Sequence, residues 1–311
     1  MKLLTIKEIS EKWDLSERTI RKLCTEERIP EAELIRGIWM IPEDAYKPER
    51  KPPQKQEKQT VPLSPLARQV ISQRRRNNHY GIYEHIQVYL TYSSNRMASN
   101  RLTKKAVEEI YRKNNITTSF EPAKVDDIIE TINHFEAVRY IIDNIEAELT
   151  PIFIQHLHQI LTYGTYADRK AKLQPGALRT DDSKKGIAPA KISPELTSLC
   201  KTYEKNPATI ERILEFHVRF EKIQPFKDYN GRVGRLIMMK ECLRHGIDPF
   251  IIDDKRRGAY NRGIAAWSDD HEPLISVSLE AQKRFQGKME LCALFQYARN
   301  QIGRASCRER V

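Results

Sequence analysis

Between Phe226 and Arg235 the chain sets an acid (Asp228), an amide (Asn230), a glycine (Gly231) and two arginines three apart (Arg232, Arg235) in a turn that opens into a helix. A helix N-terminus leaves backbone N–H groups without intrahelical acceptors, and its dipole favours an anion. Gly231 lets the backbone approach a phosphate, and arginines at i and i+3 share a face that can grip a polyphosphate. Asp228 is placed to hold a Mg²⁺ that bridges phosphate oxygens. Singly, each residue reads as a capped, solvated helix start; together they point to phosphate binding. The first position of the turn, where proton chemistry would be expected, is Gln224, whose amide accepts no proton near neutral pH.

The elements that must hold this turn read as helices. Thr150-Pro151, Ser193-Pro194 and Asn206-Pro207 each put a capping residue before a first-turn proline. Ile128, Ile132, Phe135, Val138, Ile142 and Ile145 recur at threes and fours, one stripe of a long buried helix. Further helices are expected from Pro207 to about Ile223 and from Gly231 to a stop at His245-Gly246. The best strand signal, Ala177 to Ile192, reads as a short hairpin or flap. The fold class is mainly α.

Three pieces are expected: a cap-punctuated module over 1–47, an extended linker over 48–78 with five prolines among Lys and Gln, and a helical domain over 79–300. The tail 301–311 has no apolar pattern to dock it and is set aside as a read-through end. The net charge of +11 is sharpest at 51–80, where seven basic residues face one acidic. That run reads as a solvated tether, with attraction of nucleic acid as the alternative. Five scattered cysteines form no C-x-x-C pair, which argues against a disulfide framework and a zinc site. Without a long apolar run or a signal peptide, a cytoplasmic protein with no membrane partner is expected.

In the first module Thr5 and Glu8 form a capping box before a helix with Ile6, Ile9 and Trp13 inward; Ser16 caps a second helix. "LTIKEISEKWDLSERTIRKLC" with the following "IWMIP" resembles the excisionase-like and MerR-type winged helix-turn-helix family. The resemblance implies duplex DNA as partner, contacted by Arg18, Thr19, Arg21 and Lys22 and by Arg36 on the wing. A small interaction or oligomerisation module is the alternative, and a homodimer is among the expected partners.

"HVRFEKIQPFKDYNGRVGRLI", His217 to Ile237, resembles the Fic (Fido) signature H-x-F-x-D/E-G-N-G-R-x-x-R. The likeness extends outward to "LQPGALRT" and "DDKRRGAYNRGIAAW". It implies an all-α core with a short β-hairpin flap that binds ATP with Mg²⁺ and transfers AMP to a protein hydroxyl. Carried over, Asp228 holds the metal, Asn230 and Gly231 cradle the α-phosphate, and Arg232 and Arg235 clamp the phosphates. Tyr260 and Asn261 lie near the base. The stretch from Arg179 and Thr180 to Ile187 pairs with a target protein by strand addition. Three positions depart from the pattern. Gln224 stands at the catalytic histidine, Tyr229 at a glycine, and Ala98 at the glutamate of the family's inhibitory helix, which leaves Arg235 without that partner. His217 is read as a packing residue, not a replacement base. The reading is a regulator with a degenerate nucleotide site coupled to a DNA-binding module. The alternative is an active protein adenylyltransferase using a non-standard base.

Overall fold

A computed structural model describes residues 3–25, 28–35, 38–48, 62–76, 80–115, 117, 123–182, 186–206 and 208–308, without the side chains of Ile38 and of residues 296–308. They fall into two compact units, Met1–Val61 and Pro62–Val311. Arg36 lies outside the described residues.

The smaller unit is β1 (Leu3–Thr5), α1 (Ile6–Trp13), α2 (Glu17–Thr25), β2 (Glu33–Ile35) and β3 (Ile38–Pro42), with an antiparallel sheet in the order β1-β3-β2. Thr5 and Glu8 cap α1 reciprocally, and the chain leaves it through Asp14 in a left-handed conformation (φ 51°). Ser16 then accepts from the Thr19 N–H at the head of α2. Ile6, Ile9, Trp13, Ile20, Leu23 and Ile41 close a core of their own. That burial leaves Arg18, Thr19, Arg21 and Lys22 exposed on the outer face of α2.

The larger unit is helical. Its helices are α3 (Pro65–Arg75), α4 (Ile82–His85), α5 (Thr91–Met97), α6 (Lys104–Lys113), α7 (Val125–Asp143), α8 (Pro151–Thr162) and α9 (Tyr166–Arg169). They continue as α10 (Pro189–Glu204), α11 (Ile210–Ile223), α12 (Asn230–His245), α13 (Arg257–Ala266) and α14 (Glu272–Arg308). A π-helical turn, Ile86–Leu90, joins α4 to α5. Helix α12 is the axis of the unit: every residue from Arg232 to Leu243 is buried. Among the described residues no helix is long and apolar enough to cross a membrane.

Several expectations change here. Residues 65–75, expected as extended linker, form α3, because Ser64 and Pro65 start a helix that buries Ala67 and Val70. No strand forms among the described residues of the expected hairpin. The Arg179 N–H bonds instead to the carbonyl of Pro225, just past α11, and α10 begins at Pro189 with Pro194 inside it. Helix α11 starts at Ile210 under a Thr209 cap rather than at Pro207. The tail expected to lie outside the fold continues α14 to Arg308. In α7 the apolar stripe is buried at Phe135, Val138 and Ile142, but Ile132 is exposed and polar Asp127, Thr131 and His134 are buried instead.

The axis is set by close packing of α11 on α12. His217 is fully buried, and its Nε2 shares a short hydrogen bond with the Tyr260 hydroxyl. Burial, with Arg235 nearby, pulls its pKa down to about 3, so the ring packs as a neutral imidazole. A Cβ built on Gly234 would meet that ring 2.5 Å away. Gly234→Ala is therefore expected to cost about 1–3 kcal/mol of stability through overpacking. Urea unfolding followed by helical circular dichroism checks it; an unchanged midpoint would mean the ring has room to move.

Candidate functional site

The turn between α11 and α12 is closed by side chains. Gln224 ends α11 with φ 48°, and Tyr229 precedes α12 with φ 66°, both left-handed. L-residues adopt that region at a cost of roughly 1–2 kcal/mol each, so contacts must hold them there. Asn230 supplies several. Its Oδ1 accepts from the Phe226 N–H at 3.0 Å, and its Nδ2 donates to the Phe226 carbonyl at 2.8 Å and to Gln224 Oε1 at 2.9 Å. Phe226 stacks on His158 with centroids 3.9 Å apart and planes 5° apart. The result aims the N-terminus of α12 into a cleft of about 770 Å³ lined by Gln224, Asp228, Asn230, Gly231, Arg232, Arg235, Ala98 and Asn261, among others.

The two arginines part company. Arg235 turns toward α5: Nε donates to the Ser94 hydroxyl at 3.1 Å and Nη2 to the Ser94 carbonyl at 3.0 Å. Arg232 turns toward α7, pairing with Glu130 at 3.1 Å, its guanidinium carbon 3.4 Å from the Tyr229 ring centroid. The shared phosphate-gripping face expected from the i, i+3 spacing is thus split, and Arg235 has an internal partner in Ser94. Asp228 is exposed, with Oδ1 accepting from the Tyr229 N–H at 2.6 Å. Asn261 lines the cleft, whereas the Tyr260 hydroxyl is buried on His217.

Gln224 is committed on both sides. Its Nε2 donates to Glu221 Oε2 and to the Glu221 carbonyl, each at 2.9 Å, while its Oε1 holds Asn230. Glu221 also lines the cleft, and its Oε1 is buried without a hydrogen-bond partner. Sequence reasoning passed over Glu221, Glu130 and the role of Ser94. Glu221 stands three before the helix-ending Gln224, a spacing that puts both at one end of α11. The signal for Glu130 was a polar stripe, Asp127, Glu130, Thr131 and His134, on a helix otherwise read as buried.

The expected target flap is stapled down. The buried Arg179 donates to the carbonyls of Gln224 (2.7 Å), Asp181 (2.9 Å) and Ile187, and its own N–H bonds to Pro225 O at 2.9 Å. Its guanidinium meets the carbonyl end of α11, where a cation is favoured. A Cβ on Gly186 would lie 2.3 Å from Arg179 Nη2, so the strap needs that glycine. Thr180 is exposed and Ile187 half-buried.

Among the described residues no cluster of three His, Cys, Asp or Glu could cage a metal. A Mg²⁺ would fit only with Asp228 as one ligand and phosphate oxygens and water as the rest, the usual habit of that ion. The space at the head of α12 can be tested more simply. A Cβ on Gly231 would stand 3.0 Å from Arg235 Nη1 and 3.5 Å from Glu221 Oε1, so the glycine keeps open the space between helix end and cation.

A mainly helical unit whose buried central helix presents its N-terminus, through an amide-closed turn, to a wide cleft defines the class of fold. Residues 148–242 match the model of the Fic/DOC family. The larger unit has the fold of solved Fic proteins. One is a Fic domain-containing signalling protein from Bacteroides thetaiotaomicron, 17% identical with a TM-score of 0.57 over 73% of this chain and 94% of that one. Another is Fic-1 from C. elegans, 18% identical with a TM-score of 0.56 over 72% of this chain and 70% of that one. A variant of Fic-1 aligns with a TM-score of 0.59 at 17% identity over 75% and 72%. No curated protein matches the chain.

Burial pushes the Glu221 carboxyl above the ordinary carboxylate range, with Arg235 and Gln224 pulling partly back. A raised folded-state pKa gives stability that is full below the unfolded value and lost as pH rises through the folded one. Glu221→Gln abolishes the ionisation and keeps an acceptor for Gln224. The variant should melt above the wild type at about pH 8, the gap closing toward about pH 4, near the unfolded Glu value. Melting curves across that range check it; a lower melting temperature at every pH would show the carboxylate is stabilising.

Proposed function

We propose that the larger unit binds a nucleotide, ATP with Mg²⁺, at the N-terminus of α12, and that the smaller unit is a winged helix-turn-helix module that binds duplex DNA. The protein then acts as a regulator in which AMP transfer to a target hydroxyl is weak or lost. The observation that carries the first part is the convergence of the α12 N-terminus, Gly231 and Arg235 on one cleft of about 770 Å³, a size in the usual range for small-ligand sites. Asn230 fixes the turn and Arg235 meets the phosphates, while Asp228 offers the outward carboxylate for the metal. The Mg²⁺ supplies charge neutralisation on the phosphate oxygens.

Gln224 limits the chemistry. In the family reading this position takes the proton of the incoming hydroxyl, and an amide forfeits that contribution of about 10²–10⁴-fold. Its Nε2 and Oε1 are also engaged by Glu221 and Asn230. A target segment would lie beside Arg179, Thr180 and Ile187, where Thr180 is exposed. The second reading, AMP transfer with a non-standard base, is favoured by the unpartnered Glu221 Oε1 beside Gln224.

Calorimetric titration with ATP and Mg²⁺ is expected to show binding that Arg235→Ala weakens at least about tenfold, the loss of one charge-assisted phosphate contact. No heat with any nucleotide would remove the site reading. Radiolabelled ATP added with cell lysate separates the two readings, since robust label transfer to protein favours the second.

For the smaller unit the carrying observation is the exposed basic edge of α2, Arg18, Arg21 and Lys22, on a helix whose other face is buried. Full-length protein should shift a pool of genomic DNA fragments at low salt, steeply weakened by added salt. Arg21→Ala with Lys22→Ala should reduce the shift without altering nucleotide binding. Absence of any shift at low salt would leave the unit as an oligomerisation module.

A further inference from the structure

The nucleotide reading leaves open how many phosphates the cleft accepts, and this inference rests on that reading. We infer that Glu130 and Tyr229 withhold Arg232 from the ligand, so that the cleft gains nothing from a third phosphate and binds ATP no tighter than the nucleoside diphosphate.

Each contact of the cluster is specific. Glu130 Oε2 lies 3.1 Å from Arg232 Nη1, with side chains only 17% and 5% exposed. Glu130 Oε1 accepts from the Tyr229 hydroxyl at 2.7 Å. Asn100 Nδ2 donates to Oε2 at 3.3 Å and, at 2.9 Å, to the Asp127 carbonyl one turn earlier on α7. The Tyr229 ring covers one face of the guanidinium, centroid to Cζ 3.4 Å. The carboxylate is therefore held through both oxygens, and the arginine by charge and stacking, its Nη1 lying close to Glu130 without a hydrogen bond.

Such a pair is hard to displace. Taking one partner from a buried ion pair leaves the other uncompensated, which is far more costly than opening a surface pair. A phosphate approaching Arg232 must expel Glu130, break its bond to Tyr229 and uncover the ring. Arg235 differs: it hydrogen-bonds the neutral oxygens of Ser94, and Glu221 acts on it through charge, with no salt bridge between them among the described residues. The cleft thus offers one buried cation for phosphate instead of two. Its other charged walls are Lys227 and the acids Glu221 and Asp228. Lys227 is exposed and 3.5 Å from Asp181, so it adds a screened charge only. Each phosphate beyond those that Arg235 and the helix N-terminus can meet brings charge and gains no buried partner.

Tyr229 is the residue that makes the lock. Its left-handed backbone (φ 66°) is one a glycine would adopt freely, and a glycine would supply neither the hydroxyl nor the ring. Burial holds its phenol well above the usual value, so the hydroxyl remains a donor to Glu130 at neutral pH.

Titration of the full-length wild type with AMP, ADP and ATP, each with and without Mg²⁺, reads this order directly. ATP is expected to bind no tighter than ADP. In Glu130→Gln, ATP should gain at least about tenfold while AMP changes less than about threefold, tenfold being the 1.4 kcal/mol of one added cation–phosphate contact. Tyr229→Phe keeps the ring and removes only the hydroxyl, so it should give a smaller gain in the same direction. It decides the matter if Glu130→Gln fails to fold, as a melting curve would reveal. Wild type binding ATP tenfold tighter than ADP, or both variants keeping the wild-type order, overturns the inference and leaves the nucleotide site standing. No binding of any nucleotide to any of the three proteins overturns both.

Discussion

The site depends on the side chain of Asn230. The connection from Gln224 to Tyr229 is too short to form secondary structure, and both its ends are left-handed without being glycine. One carboxamide replaces the missing ladder by bonding both the N–H and the carbonyl of Phe226 and the side chain of Gln224. Phe226, stacked on His158, pins the same turn from the apolar side. With the turn fixed, the direction of α12 is fixed, and with it where the N–H groups of the helix point. Arg179 adds the last restraint by tying the strap before α10 to the carbonyl end of α11.

A central helix buried from Arg232 to Leu243 would ordinarily be apolar throughout, yet α12 carries four charges in that span. Two lie at the site end. At the other end Lys240 pairs with Glu241 at 2.7 Å and donates to the Ala147 carbonyl at 2.5 Å. Burial alone would raise the Glu241 carboxyl, but His245, Lys240 and Arg244 outweigh it and hold it below the ordinary range. Arg244 continues the network to Glu204, which accepts from the Leu149 N–H at 2.7 Å. Paired charges in a dry interior add little net stability, but they permit few alternative arrangements. Here they tie α12 to the Ala147 carbonyl before α8 and to Glu204 on α10 at particular atoms, contacts that a purely apolar surface does not make.

Much of this was legible in the sequence because local chemistry wrote it. Thr5 with Glu8, Thr150 with Pro151, and His245 with Gly246 mark helix ends through the hydrogen bonds of caps, and these ends stand as read. The ten residues around Asn230 likewise announced a turn before a helix. Other features depended on partners distant in the chain. Nothing near Arg179 says that its N–H will bond to the Pro225 carbonyl. Ser64-Pro65 carried the same cap signal as Thr150-Pro151 but lay in a stretch whose prolines and lysines argued for a linker. Helix α12 has no apolar stripe because all its faces are covered, so periodicity could not rank its residues. The i, i+3 spacing puts Arg232 and Arg235 one turn apart on α12. Side-chain length then let tertiary partners, Glu130 and Ser94, pull the two guanidiniums apart.

That divergence changes what the N-terminus of α12 can offer an anion. A phosphate at a bare helix N-terminus would meet only donors and cations. Here the chain has placed its own carboxylates around the same arginines: Glu130 in direct contact with Arg232, and Glu221 close enough to Arg235 for the cation to draw its pKa down against burial. Ligand affinity is then a difference between two sets of charge-assisted contacts, one of them already made in the free protein. Removing a carboxylate and removing an arginine should therefore act in opposite directions on binding. The same carboxylates offset part of the cost of burying guanidinium charge, which burial without a partner would make large. The polar face of α7 and the last turn of α11 thus do electrostatic work that the central signature alone does not reveal.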